Sequence, residues 1–320
     1  MGLMNNGVWQ REERSRANPA GAFVRPETRF RATVAPGGAH PPEAGRYHLY
    51  VSLACPWAHR TLILRALKGL QGIVGLSVVH WLMGEDGWTF TPDEGVVADP
   101  VMGAQFLHQL YARADPAFTG RVTVPLLWDR ARDRIVNNES AEILRIFNAA
   151  FDATGAARGD YYPPPLREEI DAVNARVYAE VNNGVYRAGF ARTQDAYDEA
   201  VTTLFAALDW LEGRLSRQPF LCGEQVTEAD WRLFTTLIRF DSVYHGHFKC
   251  NLRRIIDYPA LWDFTRSLYQ VPGVAATVAF GHIKRHYYMS HPWVNPTRIV
   301  PAGPALDLTA PGSRAVRLPG

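Results

Sequence analysis

The fold of this chain follows from residues 47–70, YHLYVSLACPWAHRTLILRALKGL. The run HLYVS is rich in β-forming residues and predicts a buried strand. After a short turn, Pro56 stands where a first helical residue would, since its fixed φ and missing N–H are tolerated there. Apolar residues then recur at helical spacing: Leu62, Ile63, Ala66, Leu67 and Leu70. This pattern predicts a helix with Cys55 at its N-terminus and with Arg60 and Arg65 in solvent.

The predicted position of Cys55 favours a role as a nucleophile. The unpaired N–H groups and the positive dipole end at a helix N-terminus favour a thiolate over a thiol, and the thiolate is the nucleophile. A strand, a loop, Cys-Pro and a helix in this order are typical of thioredoxin-like domains. Ala58 stands where the second cysteine of a C-x-x-C pair would be, so an external thiol must resolve any disulfide formed at Cys55. The alternative is that Cys55 is a small buried hydrophobic residue, as many free cysteines are.

The composition is that of an ordinary folded protein. The 320 residues are enough for two domains, and 47% of them are hydrophobic and 21% charged. Because 34 basic and 32 acidic residues leave a net charge of +2, we expect neither nucleic acid nor a membrane as a partner. The three cysteines form no disulfide framework and no zinc-site spacing, so we expect no metal and a reducing compartment.

The N-terminal sequence gives no sign of export or anchoring. No stretch of the chain approaches the roughly 18 apolar residues of a membrane span. The segment MGLMNNGVWQREERSR has no hydrophobic signal core, and Asn6 stands where a myristoylation motif has Ser or Thr. We therefore expect a cytoplasmic protein.

Residues 1–46 predict an extended arm on the surface of a folded body. They are rich in Arg, Pro and Gly and lack sustained periodicity. Trp9, Phe23 and Phe30 argue against full disorder of this arm.

A second strand and a long insertion follow the first helix. Residues 73–82, IVGLSVVHWL, predict a buried strand. Residues 83–120 contain frequent Gly, Pro and Asp, with one short helix expected around 102–112. This insertion is a candidate pocket lid.

A β-hairpin is expected next. Residues 122–129 predict a strand, and residues 134–136 predict its partner after a turn. Pro125 donates no hydrogen bond to a ladder, so this segment is an edge strand or a special loop, and a cis Val124–Pro125 bond is expected. The alternative is that the proline simply begins the strand. Glu139 or Ser140 then lies at the N-terminus of a helix, AEILRIFNAAF, and such an end binds anions.

The order of elements is β-α-β, insertion, β-β-α, which is the thioredoxin topology and is complete by about residue 152. The segment ATGAARGDYYPPP, residues 153–165, predicts a linker. The chain then becomes helical, with a T-x-x-D capping box at Thr227–Asp230. Helices are expected at 166–181, 194–216, 227–240, 259–270 and 274–282, followed by a proline-rich tail.

Several motifs in this order resemble one family. They are Cys-Pro-Trp-Ala at 55–58, Trp-Asp after the proline strand, Asn-Glu-Ser at 138–140, Phe-Lys-Cys-Asn at 248–251 and Ile-Lys-Arg-His-Tyr-Tyr at 283–288. The chain resembles the glutathionyl-hydroquinone reductases, the Xi-class glutathione transferases, over nearly its whole length. The resemblance implies an α/β thioredoxin-like N-terminal domain followed by an all-α glutathione-transferase C-terminal domain.

The resemblance also implies domain boundaries. The arm would be 1–46, the glutathione-binding domain 47–152 with the insertion 83–120, and the linker 153–165. A helical quinone-binding domain would occupy 166–290 and a tail 291–320. The family also implies a homodimer formed chiefly through the helical domain.

The glutathione site that the resemblance implies lies in the thioredoxin-like domain. Cys55 would be the nucleophile, and Val124 would offer its backbone to the cysteinyl part of glutathione, the cosubstrate. Glu139 and Ser140 would bind the γ-glutamyl end. The remaining contacts would come from Trp88 and Arg121, the latter as a cation for a carboxylate.

The quinol would bind in the helical domain, where the family has tyrosines that stack on and hydrogen-bond to a dihydroxy-arene. The candidates are Tyr186, Tyr244 and Tyr288, and the sequence does not choose between Tyr288 and its neighbour Tyr287. The HGH at 245–247 lacks an acidic or cysteine partner for a metal. Cys222 and Cys250 are expected to be structural.

The implied activity is the removal of glutathione from a glutathionyl-hydroquinone, releasing the hydroquinone and glutathione disulfide. An alternative is an Omega-like thiol transferase or dehydroascorbate reductase, which would also need Cys55. The long insertion and tail favour the first activity, since an Omega-type chain would normally be shorter. A transferase-fold binding protein is a third possibility, but such a protein would not need the Cys-Pro-Trp-Ala motif.

Overall fold

The computed structural model describes residues 2–11 and 17–320. Spatial contacts divide them into two compact units. The first unit contains residues 2–11, Glu27–Arg158 and Thr277–His286, and the second contains residues 17–26, Gly159–Ala276 and Tyr287–Gly320. Each of these units joins separate stretches of the chain, whereas each domain predicted from the sequence is one continuous stretch. Those boundaries stay a prediction.

The N-terminal arm is ordered where the structure describes it. It begins with a hairpin that the sequence analysis did not predict, formed by β1 (Leu3–Asn5) and β2 (Val8–Gln10). Trp9 in β2 stacks on His108, with 4.8 Å between ring centroids, and its indole N–H donates to the carbonyl of Glu85. The arm therefore has specific contacts with the insertion.

The first unit is built on a four-stranded sheet. Its strands are β3 (Tyr47–Val51), β4 (Val74–Val78), β5 (Leu126–Asp129) and β6 (Arg134–Asn137). They lie in the order β4-β3-β5-β6, with β3 parallel to β4, and with β5 antiparallel to both β3 and β6. The predicted thioredoxin-like fold of the N-terminal half is confirmed.

This unit also contains the helices α1 (Pro56–Leu67), α2 (Leu107–Ala114) and α3 (Ser140–Ala149). Short 3₁₀ turns follow α1 at Leu70–Gly72 and α3 at Asp152–Thr154. Helices α1 and α3 pack against each other. The predicted helix start at Pro56 is confirmed, with Cys55 as the N-cap residue.

Two predicted elements of the first unit start later than expected. Strand β5 begins at Leu126, because Pro125 has no N–H for the ladder. Helix α2 begins at Leu107 instead of residue 102, because Asp99 holds the preceding residues in a turn. The Asp99 carboxylate accepts hydrogen bonds from the backbone N–H groups of Val101 and Ala104.

The arm also covers the β6 edge of the sheet. The Ala32 N–H donates to the carbonyl of Val136, and the Asn138 N–H donates to the carbonyl of Phe30, at 3.0 Å each. An uncovered strand edge is a template for aggregation. Residues 30–32 therefore protect the sheet from pairing with another chain.

The second unit is helical, which confirms the predicted all-α C-terminal half. Its helices are α4 (Arg167–Arg176), α5 (Gly184–Gly189), α6 (Gln194–Leu215), α7 (Glu228–Arg239), α8 (His245–His247), α9 (Pro259–Tyr269) and the last residues of α10 (Phe280–Ser290). Short 3₁₀ turns lie at Pro164–Leu166, Ile255–Asp257 and Ala275–Thr277. In the described part of the chain, no helix combines the length and apolar content needed to cross a membrane.

The predicted helix 274–282 is wrong. Residues Ala275–Thr277 form only a 3₁₀ turn, and α10 begins at Phe280. Ile283 and Tyr287, one helical turn apart, are both buried and anchor α10, whereas Ala275 is exposed. Helix α5 was not predicted, since glycines at both of its ends hide its helical propensity.

The predicted capping box of α7 is confirmed. Thr227 is the N-cap residue, and its N–H and hydroxyl both donate to the Asp230 carboxylate, at 2.7 and 3.0 Å. Burial raises the pKa of Asp230 to about 6, although the hydrogen bonds it accepts favour the ionised form. Both residues are fully buried, so the cap lies in the core of this unit.

The C-terminal tail is held to the second unit by Arg314. Its guanidinium donates to the carbonyls of Leu215, Gln218, Pro219 and Ala260, at 2.7 to 3.1 Å. Leu215 ends α6, so this side chain satisfies one of the carbonyls that a helix C-terminus leaves without intrahelical partners.

His48 is a buried histidine in the central strand. The Ser77 hydroxyl donates to the carbonyl of Ala98, so the Nε2–H of His48 must donate to the Ser77 oxygen, at 2.8 Å. Burial lowers the pKa of His48 to about 4. Folding therefore keeps this imidazole neutral.

We expect His48 to make the stability of the first unit pH-dependent. The unfolded chain takes up a proton near the ordinary pKa of 6.5, whereas the folded chain resists it until about pH 4, so stability falls as the pH drops through this window. Between pH 7 and 4.5 wild type should lose about 2–3 kcal/mol more unfolding free energy than His48→Gln, from the size of the pKa shift. Urea titrations at both pH values measure this. Equal losses in the two proteins would contradict it.

Candidate active site

Cys55 lies at the N-terminal end of α1. As the N-cap residue it has an extended backbone, and its carbonyl accepts the first helical hydrogen bond, from His59. The side chain is half-buried, and Sγ lies 3.6 Å from the carbonyl oxygen of Val124, to which it donates in the thiol form. The helix dipole favours the ionised thiolate at this position. Cys55 is thus partly accessible and placed for nucleophilic chemistry.

Val124 precedes β5. The Val124–Pro125 peptide bond is cis, as predicted. The structure brings the Val124 carbonyl together with the cysteine, which the sequence places 69 residues away.

Glu139 and Ser140 form the N-terminus of α3. Glu139 is the N-cap residue, and its carboxylate accepts from the Ala141 N–H at 3.1 Å. Two hydroxyls also donate to this carboxylate: Thr28 of the arm at 3.3 Å and Ser140 at 3.4 Å. A negative side chain, a hydroxyl and the positive end of the α3 dipole therefore lie side by side.

Arg60 lies beside this helix end, and the expectation that it is in solvent is wrong. Its side chain is only 1% exposed. One guanidinium nitrogen donates to the Ser140 hydroxyl at 3.4 Å, and the guanidinium lies over the Trp57 ring, 4.6 Å from its centroid. The first two turns of α1 are buried on nearly all sides, so the charge of Arg60 is directed to the α3 N-terminus.

Trp88 and Arg121 also belong to the first unit. Trp88 is buried and stacks on His286, with 5.0 Å between ring centroids. The Nδ1 atom of His286 lies 2.8 Å from the carbonyl of Trp81, so the insertion is tied to α10 at this point. Arg121 is half-buried.

Three tyrosine hydroxyls form a hydrogen-bonded chain in the second unit. The hydroxyl of Tyr287 lies 2.6 Å from that of Tyr186 and 3.1 Å from that of Tyr244. Burial raises the pKa of both Tyr244 and Tyr287 well above the ordinary value, so these phenols are neutral donors at physiological pH. Tyr186 keeps the largest exposed fraction of the three, 9%.

Tyr288, a candidate from the sequence, is not part of this chain of hydroxyls. It is half-buried and packs against His247, with 4.8 Å between ring centroids. On α10 neighbouring residues point about 100° apart, so only one of the two tyrosines can meet Tyr186. The structure places Tyr287 there.

Two π-helical segments precede or carry the first two tyrosines. One, Val177–Asn182, joins α4 to α5, which bears Tyr186. The other, Phe240–Tyr244, continues α7 and ends at Tyr244. A π-helical turn shifts the residues after it around the helix axis, and such turns are frequent at functional sites. Because such a segment lies before or at both tyrosines, it favours a functional role for the tyrosine cluster.

Comparison with known proteins gives the family. Residues 54–150 match the family model of the glutathione S-transferase N-terminal domain, and residues 194–267 match that of the C-terminal domain. The chain is 56% identical to the glutathionyl-hydroquinone reductase PcpF of Sphingobium chlorophenolicum, over 96% of this chain and 98% of that protein.

The chain belongs to the Xi class of glutathione transferases.

Solved structures agree with this assignment. An Xi-class transferase from Natrialba magadii superimposes on the chain with a TM-score of 0.92 and 49% identity, covering 98% of this chain and 96% of that one. The glutathione-bound structure of the Escherichia coli homologue YqjG gives a TM-score of 0.88 and 52% identity, covering 98% and 99%.

The other two cysteines of this Xi-class transferase are unsuited to be nucleophiles. Cys222 and Cys250 are buried, and burial raises the pKa of both thiols, that of Cys222 to about 12. At neutral pH both therefore remain thiols.

His247 of the HGH segment also has structural contacts in this transferase. His247 packs with His291, and their ring nitrogens lie 3.2 Å apart. Within residues 2–11 and 17–320, no group of three or more His, Cys, Asp or Glu side chains is arranged to hold a metal ion.

Proposed function

We propose that this Xi-class transferase is an oxidoreductase that uses glutathione to reduce glutathionyl-hydroquinones to hydroquinones. The observation that carries the proposal is Cys55, a half-buried cysteine at a helix N-terminus, in a chain 56% identical to a protein named glutathionyl-hydroquinone reductase. Glutathione as cosubstrate is supported by the glutathione-bound structure of the Escherichia coli homologue.

The glutathione part of the substrate would bind to the first unit. Val124 would pair its backbone with the cysteinyl residue of glutathione, next to Cys55. At the α3 N-terminus, Ser140 and the helix N–H groups would bind the γ-glutamyl carboxylate, while Glu139 would bind the ammonium group. The negative carboxylate and the positive ammonium of the γ-glutamyl group match the donor and acceptor groups at the α3 N-terminus.

Arg121 and Trp88 would contact the remainder of the tripeptide. Arg121 would pair with a carboxylate as a planar cation. Trp88 is held by its stacking on His286 and would offer its edge or face to the peptide.

The hydroquinone would be recognised by the tyrosine hydroxyls of the second unit. A dihydroxy-arene presents an aromatic face and two oxygens, which phenols can stack on and hydrogen-bond to. Tyr186 and Tyr244 are joined through Tyr287, so we assign this role to Tyr287 and not to Tyr288.

The chemistry would proceed in two half-reactions. The Cys55 thiolate attacks the sulfur of the conjugate, so that a disulfide forms and the bond from sulfur to the ring carbon breaks. The electron pair of that bond passes to the ring, which takes up a proton at this carbon and leaves as the hydroquinone. A second glutathione thiolate then attacks the mixed disulfide, giving glutathione disulfide and the Cys55 thiolate. Neutral tyrosine donors would stabilise negative charge on the ring oxygens.

Replacement of Cys55 tests this mechanism. Cys55→Ser should lose at least about three orders of magnitude in kcat, because serine is not ionised at neutral pH, while glutathione binding persists. Initial rates of the wild type should be ping-pong, and treatment with conjugate alone should add the mass of one glutathione, which reductant removes. Mass spectrometry and steady-state kinetics measure both.

Cys222→Ser and Cys250→Ser are the matched controls and should remain active, since both thiols are buried. Full activity of Cys55→Ser, or an adduct on another cysteine, would rule out the mechanism. If the protein reduced mixed disulfides or dehydroascorbate but not the conjugate, the Omega-like alternative would replace the proposed activity.

The tyrosine assignment gives a paired test. Tyr287→Phe breaks both hydrogen bonds of the hydroxyl chain and should lower kcat/KM for the conjugate about tenfold, which corresponds to the loss of one or two hydrogen bonds. Tyr288→Phe should stay within about twofold of wild type. If Tyr288→Phe lowered kcat/KM more than Tyr287→Phe, the role would return to Tyr288.

We also propose that the protein is a cytoplasmic homodimer. The family resemblance supports the dimer, and the second unit exposes Leu252 and Ile256, which an interface could bury. Sedimentation at micromolar concentration should therefore give twice the chain mass of 35.8 kDa. A monomer under these conditions would contradict the dimer, and cell fractionation tests the location.

A further inference from the structure

The N-terminal arm places a cation on the most exposed tyrosine of the hydroxyl chain. The guanidinium carbon of Arg25 lies 4.8 Å from the centroid of the Tyr186 ring and 5.3 Å from that of Phe23. Phe23 itself is buried and stacks on Tyr186, with 6.4 Å between centroids. Two arm residues therefore pack against the Tyr186 ring.

The same guanidinium fixes the backbone from which Tyr186 projects. Its Nε–H donates to the side-chain oxygen of Asn183 at 2.6 Å. Asn183 lies between the π-helical segment Val177–Asn182 and α5, and its carbonyl accepts from the Tyr186 N–H at 3.0 Å. Arg25 thus acts on Tyr186 twice, through the ring and through Asn183.

Backbone contacts near Gly21 also hold this part of the arm in the second unit, independently of Arg25. The Arg192 N–H donates to the carbonyl of Gly21 at 2.9 Å, and the Thr193 hydroxyl donates to the carbonyl of Ala20 at 3.0 Å. Gly21 has a φ of +83°, and a Cβ there would lie 2.7 Å from a Thr193 side-chain carbon. These contacts fix the position of the backbone that leads to Arg25.

A cation on the face of a phenol has two effects. It is attracted to the negative face of the ring, which holds the ring in one orientation. It also favours negative charge on the phenol oxygen and so makes the hydroxyl a stronger hydrogen-bond donor. Arginine suits both contacts, since its planar fork can stack on a ring while its edge donates to an amide oxygen.

We propose that Arg25 is a positioning residue for the hydroquinone part of the substrate: it holds the Tyr186 ring and polarises its hydroxyl. The inference rests on the proposed function and gives the N-terminal arm a part in substrate selection. Arg25 acts through Tyr186 and takes no part in the exchange at Cys55.

The test compares Arg25→Gln and Arg25→Lys with a matched control, Arg29→Gln. Arg29 is also an arm arginine over an aromatic ring, but its ring is Phe118 in the first unit, at 5.6 Å. Each variant is assayed with 2-(glutathion-S-yl)-hydroquinone and with the mixed disulfide of glutathione and 2-mercaptoethanol. Both substrates need Cys55, and only the first has a hydroquinone ring.

Binding is measured separately from turnover. Each arginine variant is combined with Cys55→Ser, and the affinities for the conjugate and for glutathione alone are measured by calorimetry. The binding result is therefore independent of whether the wild type turns the conjugate over.

Arg25→Gln should lower conjugate affinity and kcat/KM by about three- to thirty-fold, the range of a cation–π contact. It should leave glutathione affinity and the mixed-disulfide rate unchanged. Arg25→Lys should recover part of the loss because it restores the charge, and Arg29→Gln should behave like wild type.

Equal losses with both substrates would show that Arg25 only stabilises the fold and would overturn the proposal. The proposal would also be overturned if Arg25→Gln bound the conjugate as tightly as the wild type does. It would be overturned as well if the wild type did not bind the conjugate. A lysine variant as impaired as the glutamine variant would reject the polarising role. A wild type that binds the conjugate without reducing it would overturn the proposed function alone.

Discussion

The complete burial of strand β3 is the constraint on which the first unit depends. All five residues of β3 are buried, and the strand pairs with a neighbour on each side. Its polar side chains must therefore find partners inside the protein. Tyr47 donates to the carbonyl of Pro41, and Tyr50 donates to the Asp99 carboxylate, at 2.7 Å each. One central strand thus fixes the arm and the insertion as well as the sheet.

The same strand determines where the chemistry lies. The chain leaves β3 at Val51 and begins α1 at Pro56, so Cys55, the residue before the helix, must lie at that edge of the sheet. Strand β5 runs antiparallel to β3, and its first residues therefore lie at the same edge. This geometry brings the Val124 carbonyl to the cysteine sulfur, although neither residue is part of the pairing itself.

The N-terminal arm contributes to both units. In the first, Thr28 donates to the cap residue of α3, and Arg31 pairs with Glu142 of the same helix. In the second, Phe23 and Arg25 lie on Tyr186. A segment that lacks periodicity in the sequence is ordered by these side chains, because each replaces contacts with water by a specific partner.

The sequence by itself determined the local features of this protein. The strand-loop-Cys-Pro-helix order, the cis bond before Pro125 and the capping box at Thr227 depend on residues close together in the chain, and their pattern predicts them. The order of the predicted elements and the Gly/Pro-rich linker also separated the α/β half from the helical half, and the motifs in order indicated the Xi-class family.

Only the tertiary structure decided which distant groups meet. The burial of Arg60 could not be inferred from α1 alone, because the helix pattern predicted a solvent face that other elements cover. Helical phase likewise brings the hydroxyl of Tyr287, and not that of Tyr288, to the hydroxyls of Tyr186 and Tyr244. The contact between Arg25 and Tyr186 joins residues that are 161 positions apart in the chain. Such contacts depend on the packing of whole elements, which local propensity and periodicity do not encode.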